Sequence, residues 1–301
     1  MKSHGRGSGQ GCFGGISMRR LHLAPHGARV TDLPRVPSAV DIVGLQRLAF
    51  GGRWRVEAMR SYSRPVLLWF TRGSGRITVN GTTRGYGPHN AIFLPPGTMH
   101  GFDMLGQVLG FAAFLPADAA LDWPEEPLHL RCREGRVQAE LTGLIEQLER
   151  ATAAPDAETG HELFHLSGLV SVWLRRRAGL AETENTAPNE RAGDRLSAAY
   201  AALVERDFTK PRGVADYARD LGVTPTHLSR VCRATSGRSA LALLIDRRLY
   251  EARRLLRDTQ LPVQDIAKTT GFGSPAYFSR AFRAEIGASP SEFRKKPGLR
   301  G

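Results

Sequence analysis

The chain is poor in cysteine, in acidic residues and in long apolar runs, and each shortage narrows its function. Its 301 residues hold only Cys12, Cys132 and Cys232, at no metal-site spacing. A reduced, cytoplasmic protein is expected. No run of about 18 apolar residues occurs, so no membrane span is expected. The glycine-rich, basic first 20 residues lack the apolar core of a secretion signal. They read as a disordered tail over 1–25, or as an upstream start preceding a real one at Met18. Asp and Glu total 29 against 42 Lys and Arg, a formal net charge of +13. The imbalance is concentrated at the C-terminal end. From residue 191 onward there are 21 Lys and Arg but 11 Asp and Glu, a surplus of ten that suits a polyanionic partner.

What is present begins with residues 263–294. Val263, Ile266 and Ala267 mark the apolar side of a short helix, and Gly271 suits a tight left-handed turn. Ser274 and Pro275 are an N-cap and a first helical residue. The second helix places Phe278 and Phe282 on one face, and Ala276, Ser279, Arg280 and Arg283 on the other. A helix, a turn and a helix with basic and hydroxyl groups outward form a DNA-reading unit.

The unit occurs twice. Val214-x-Asp216-Tyr217-Ala218 recurs as Val263-x-Asp265-Ile266-Ala267, and Gly222 as Gly271, at an offset of 49. Leu228-Ser229-Arg230-x-Cys232-Arg233-Ala234 recurs as Phe278-Ser279-Arg280-x-Phe282-Arg283-Ala284, and Gly237 as Gly287, at an offset of 50. The second turn is therefore one residue longer, and the repeat is hard to obtain by chance. Cys232 then falls on a buried helix face as a small core residue. Between the units, Ala240–Arg257 has no Gly or Pro and predicts a helix roughly 27 Å long. Successive major grooves on one face of DNA lie ~34 Å apart, so such a rod can hold two reading helices in adjacent grooves.

Residues 195–296 resemble the DNA-binding region of the AraC/XylS family of bacterial transcription regulators. Ala267, Gly271-Phe272, Tyr277-Phe278-Ser279-Arg280, Phe282, Gly287, Ser289-Pro290 and Phe293-Arg294 carry the resemblance. The upstream copy from Ala218 to Gly237 and Arg248-Leu249, Ala252 and Leu255-Leu256 of the connecting helix match as well. The resemblance implies a sequence-specific regulator with two helix-turn-helix units, double-stranded promoter or operator DNA as partner, and RNA polymerase as a candidate partner.

Upstream, residues 38–116 alternate as strands. Arg64–Thr71, Arg76–Val79, Ala91–Leu94 and Gly110–Leu115 read as strands, Gly73-Ser74-Gly75 as a turn and Asn80-Gly81 as a hairpin. An all-β barrel or sandwich is expected. Pro95-x-Gly97-x-x-His100 resembles the second half of the cupin motif, an arrangement also typical of the sensing arm of the AraC/XylS family. Metal-binding cupins place a His-x-His pair on an earlier strand, but Met59 to Phe70 has no histidine. Three imidazoles cannot converge there, so no metal or other cofactor is expected. Arg60, Trp69, His100 and Phe102 are the candidate lining of a small organic effector site, the arginine favouring an anion.

Residues 126–178 turn helical. Leu141, Leu144, Ile145 and Leu148 form one stripe, and Leu163, Leu166, Val170, Trp173 and Leu174 another. These helices can simply cover the barrel, but the second stripe, through Leu166, Val170 and Trp173, is expected to pair with another subunit in a homodimer. His161 and His165 lie one turn apart, with no third ligand, and read as solvated. Residues 181–194 are polar with Pro and Gly and read as a linker, after which 190–301 should fold alone.

The fold expected is α+β and multidomain. A tail over 1–25 precedes a cupin-like barrel or sandwich over 26–125. A helical connector over 126–180 and the linker lead to an all-α domain with two helix-turn-helix units over 195–298. The function expected is ligand-responsive DNA binding. Residues 224–234 and 274–285 would read two adjacent major grooves. Thr226, His227, Ser229, Arg230, Arg233, Ala276, Tyr277, Ser279, Arg280 and Arg283 are the contact candidates. A cupin enzyme with a basic appendage is the alternative. It lacks His-x-His, and no Ser/His/Asp or Cys/His grouping replaces the metal, so no enzyme is expected. A protein that uses its helical connector to recruit partners without reading DNA is the other.

Overall fold

A computed structural model describes residues 40–184 and 192–295. The expected tail over 1–25 lies outside them. The N-terminal part is an open, barrel-like antiparallel sheet of β1 (Asp41–Gly44), β2 (Val66–Val79), β3 (Thr82–Tyr86), β4 (Asn90–Leu94), β5 (His100–Phe102), β6 (Leu105–Phe114) and β7 (Leu128–Arg131). Two short helices, α1 (Leu45–Leu48) and α2 (Trp54–Glu57), connect β1 to β2. Five strands lie in the order β1-β6-β2-β4-β7, while β3 and β5 pair with the far half of β2. The expected strands at 64–71 and 76–79 are thus one strand shared by two sheets. Gly73-Ser74-Gly75 bends it without ending it, through register shifts between Phe70 and Arg72 and between Arg72 and Ser74. Gly73 has φ +85°, and a Cβ there would meet the Gln107 carbonyl oxygen at 2.6 Å. Asn80 (φ 47°) and Gly81 (φ 73°) make the expected tight hairpin, with Val79 opposite Thr82.

Both faces of the main sheet are buried, in two separate cores. Val66, Leu68, Phe70, Ile92, Leu94, Ala112 and Phe114 fill the barrel with Ile77 and Phe102. Leu67, Trp69, Ala91, Phe93, Ala113 and Leu130 face the other way, onto α3 (Gly135–Ala153) and α4 (Thr159–Glu184). Leu166, Val170 and Trp173 of α4 belong to that second core and are at most 7% exposed. The stripe expected to join two subunits is instead spent on covering the sheet. The outward side of α4 exposes His161, His165, Leu169 and Leu180. β7 extends the sheet past the expected boundary at 125, and α4 runs to Glu184, beyond the expected linker start.

The C-terminal part is all helical. It contains α5 (Ala192–Asp207), α6 (Val214–Asp220), α7 (Pro225–Ser236), α8 (Ala240–Asp258), α9 (Val263–Thr269), α10 (Pro275–Ile286) and α11 (Pro290–Lys295). It is docked on the barrel. Met59 and Met99 lie in the core of the first helical unit with Tyr200, Tyr217 and Leu228. Met59 N–H donates to Asp246 at 2.8 Å, and Ser61 Oγ to Glu205 at 2.5 Å. Trp54 packs edge-on against Tyr250 and Phe293 beside the second unit. The carbonyl of Gly81 accepts from Ser197 Oγ and Thr235 Oγ1. A fragment starting at residue 190 would uncover these surfaces.

Candidate nucleic-acid interface

The two helix-turn-helix units are α6–α7 and α9–α10. Four residues separate the helices of the first, 221–224, and five those of the second, 270–274, which is the extra residue read from the repeat. Thr224 and Ser274 cap α7 and α10 by accepting from the backbone N–H of His227 and Tyr277. Pro225 and Pro275 occupy first turns, and Gly237 and Gly287 end both helices in the left-handed conformation. Leu228 and Cys232, and Phe278 and Phe282, are wholly buried. That burial rotates the candidate contact residues outward.

Thr226, Arg230 and Arg233 are exposed on α7, with His227 and Ser229 half-buried beside them. On α10, Ala276, Tyr277, Arg280 and Arg283 are exposed, and Ser279 is half-buried. Thr226, Ser229, Arg230 and Arg233 thus lie on one helix face, as do Ala276, Ser279, Arg280 and Arg283, with His227 and Tyr277 about a quarter-turn off it. Arg230 Nη2 donates to His227 Nδ1 at 3.0 Å, which holds the guanidinium near the helix start. Tyr277 leans on Phe272, with ring centres 5.8 Å apart.

Charge is distributed unevenly within the domain. Arg206, Arg212, Arg219, Arg238, Arg247 and Arg254 each pair with a carboxylate. Asp207 alone gathers Arg206, Lys210 and Arg212, which hold its carboxyl well below the usual carboxylate range. Arg230, Arg233, Arg280 and Arg283 form no ion pair among the described residues. Four such guanidiniums on two outward faces have the chemistry that can bond to phosphates and guanine edges.

The candidate effector residues separate into two places. Arg60, His100 and Phe102 come together. Arg60 is fully buried and donates to the Val56 and Ala58 carbonyls and to Tyr62 Oη. Its guanidinium lies 5.4 Å from the Phe102 ring centre, and its backbone bridges to His100. His100 Nδ1 donates to the Thr98 carbonyl. Burial, then the Arg60 charge, pushes the imidazole pKa far below its ordinary value. Trp69 is on the opposite side of the sheet, against α3 and α4, and joins no site with them.

A cavity of about 150 Å³ opens elsewhere, and none of Arg60, Trp69, His100 and Phe102 lines it. Its apolar floor is Ile77, Val79, Ile92 and Leu128, and its polar wall includes Asn80, Thr82, Arg84, Glu126 and His129. Asp194 and Ala198 of α5 close it from the helical domain. Ile77 stands opposite Arg84 and Phe102, and Val79 opposite Thr82 and His100, so all six share one sheet face. His129 Nε2 donates to Asn90 Oδ1 at 2.8 Å, and its pKa is pushed down to about 4 by burial and then by Arg131 and Arg84. The sequence pattern does not single out these wall residues. The alternation of His129 with Leu128 and Leu130 is the one signal that points to them.

Residues 217–296 match a family described as a helix-turn-helix domain. The chain is 28% identical over 250 residues to the arabinose operon regulatory protein of Salmonella typhimurium, covering 80% of this chain and 85% of that one. It is 38% identical over 111 residues to the transcriptional regulator GlxA of Rhizobium meliloti, covering 36% of this chain and 34% of that protein. Among solved structures, ToxT from Vibrio cholerae aligns at 14% identity with a TM-score of 0.40, over 85% of this chain and 97% of that one.

Proposed function

Since the chain belongs to the AraC/XylS family of DNA-binding transcription regulators, we propose that it reads an operator through α7 and α10 laid in adjacent major grooves, under the control of a small polar organic effector held by the barrel. The observation that carries the reading is the pair of outward faces bearing Arg230 and Arg233, and Arg280 and Arg283, uncompensated in a domain whose other arginines are mostly paired. α8, at 19 residues, is about 28 Å long, which suits two helices one groove repeat apart. The N-terminal end of a recognition helix reaches the base edges. Thr226, His227, Ser229 and Arg230 offer more hydrogen bonds there than Ala276, Tyr277, Ser279 and Arg280, because Ala276 offers only a methyl group. The first unit is therefore the more discriminating.

The effector would lie over Ile77 and Val79 and bond to Arg84, Thr82, His129 and Asp194. Its contact with α5 would carry occupancy to the helical domain. A homodimer would use the outward side of α4, where Leu169 and Leu180 are exposed. RNA polymerase remains the candidate partner for activation. A gel shift of the full chain on genomic promoter fragments tests the reading. Retention of particular fragments that weakens steeply with salt is expected. Equal binding to every fragment would contradict it.

A further inference from the structure

We infer that Arg248 of α8 is a positioning residue that locks the phase between α7 and α10, so that it sets the base-pair spacing of the operator. This rests on the two-groove reading above.

Arg248 is 4% exposed, and among the described residues its hydrogen bonds all go to carbonyl oxygens. Nε donates to Phe208 at 2.9 Å, and Nη2 to Lys210 at 2.7 Å and to Arg212 at 2.9 Å. These carbonyls lie in the loop that leads from α5 into α6, which belongs to the first unit. The loop is also tied to the end of α5, because Asp207 binds Arg206, Lys210 and Arg212. On its other side Arg248 faces the second unit, with the Phe272 ring centre 5.8 Å from the guanidinium carbon. Gly271 presses on the same loop. A Cβ there would overlap the Phe208 carbonyl oxygen and lie 2.8 Å from that of Lys210. One side chain of the connecting helix thus sits between the loop of unit one and the turn of unit two.

A buried guanidinium without a carboxylate is costly to desolvate, and apolar residues fill the core of each unit. Phe278, Phe282 and Phe272 pack the second core, and Tyr200, Tyr217 and Leu228 the first, without a charge. What the charge adds is a directional lock. Three acceptors in fixed positions define one orientation of α8 on the loop, which apolar packing alone does not. The consequence for DNA is geometric. Adding one base pair between half-sites moves the second by about 3.4 Å and turns it by about 35°. Units locked in phase cannot follow that turn, whereas units free to rock can.

The test uses the full chain and an operator selected by the wild-type protein from random DNA. Affinity is measured on that operator, on versions with one base pair inserted or deleted between half-sites, and on each half-site alone. Wild type should lose about tenfold or more on either spacing change. Arg248→Lys and Arg248→Met should bind the selected operator more weakly, and their spacing penalty should fall below about threefold. Binding to the isolated half-sites should be unchanged. A wild type that tolerates the altered spacing overturns the inference. Variants that keep the full spacing penalty overturn it too. Variants that lose the isolated half-sites mark Arg248 as a folding residue, which likewise overturns it. Failure to enrich any operator would remove the DNA-reading itself, which is a separate result from enrichment with relaxed spacing.

Discussion

Gly271 in the turn of the second unit lies directly against the carbonyl oxygen of Phe208 in the first, with φ +76° and no room for a Cβ. Gly222, its repeat partner, has φ +66° and open space around it. The two glycines therefore answer different demands. Gly222→Ala should cost about 1 kcal/mol, from the left-handed backbone alone. Gly271→Ala should cost about 3 kcal/mol or more, because overlap with backbone is added to the same strain. Urea unfolding of the two variants checks the difference. Equal costs would mean that the inter-unit contact is not tight.

Arg233 and Arg283 lie one turn beyond the ends of α7 and α10 that face bases, and are expected on phosphates. Replacing either by Ala should weaken binding by a similar factor on all sequences. It should also lower the salt slope by about 1. Thermal stability should hold, since both side chains are exposed and unpaired. Filter binding across a salt series is the measurement. A sequence-dependent loss would place these arginines on bases instead.

The helical units are legible in sequence because every layer of the signal agrees. Caps at Thr224 and Ser274, glycines after the helices and buried residues four apart all repeat at an offset of about 50. The barrel is less legible. Val66 to Phe70 are all buried, since one sheet face meets the barrel interior and the other meets α3 and α4. Alternation then carries no information about side, which is why Trp69 falls on the face opposite to the one expected. For the same reason the apolar stripe of α4 cannot be told apart from a subunit interface by pattern alone. Contacts such as Met59 with Asp246 join residues 187 apart in the chain, and no local pattern announces them.

The barrel should be sensitive to mild acid. His129 has its pKa pushed down to about 4 in the folded chain, against about 6.5 when unfolded. The folded state therefore binds fewer protons between these values. Stability is complete above about pH 6.5 and declines as pH falls toward about 4, by about 3 kcal/mol or less. His100, also depressed by burial, acts in the same direction. Urea unfolding at pH 7.5 and pH 5 checks the sign, and His129→Asn should flatten the profile. Greater stability at pH 5 would contradict the assignment.

If two subunits associate through α4, the side that is free to do so carries Leu169 and Leu180, not Trp173. Leu169→Glu should leave the fold intact and shift the chain to monomer at micromolar concentration, with weaker binding to paired operators through lost bivalency. Sedimentation velocity reads the first effect. A dimer undiminished by Leu169→Glu would move the interface elsewhere.

A base-by-base scan of the selected operator tests most directly whether α7 and α10 each read bases. Every position is substituted in turn, and affinity is measured for the wild type, Arg230→Ala and Arg280→Ala. Each variant should lose about 1–3 kcal/mol and become indifferent at a position that the wild type discriminates. The two positions should lie about 10 base pairs apart, with the steeper penalties in the half-site lost with Arg230. Indifference at the same position for both variants, or no positional change in either, would contradict base reading by both helices.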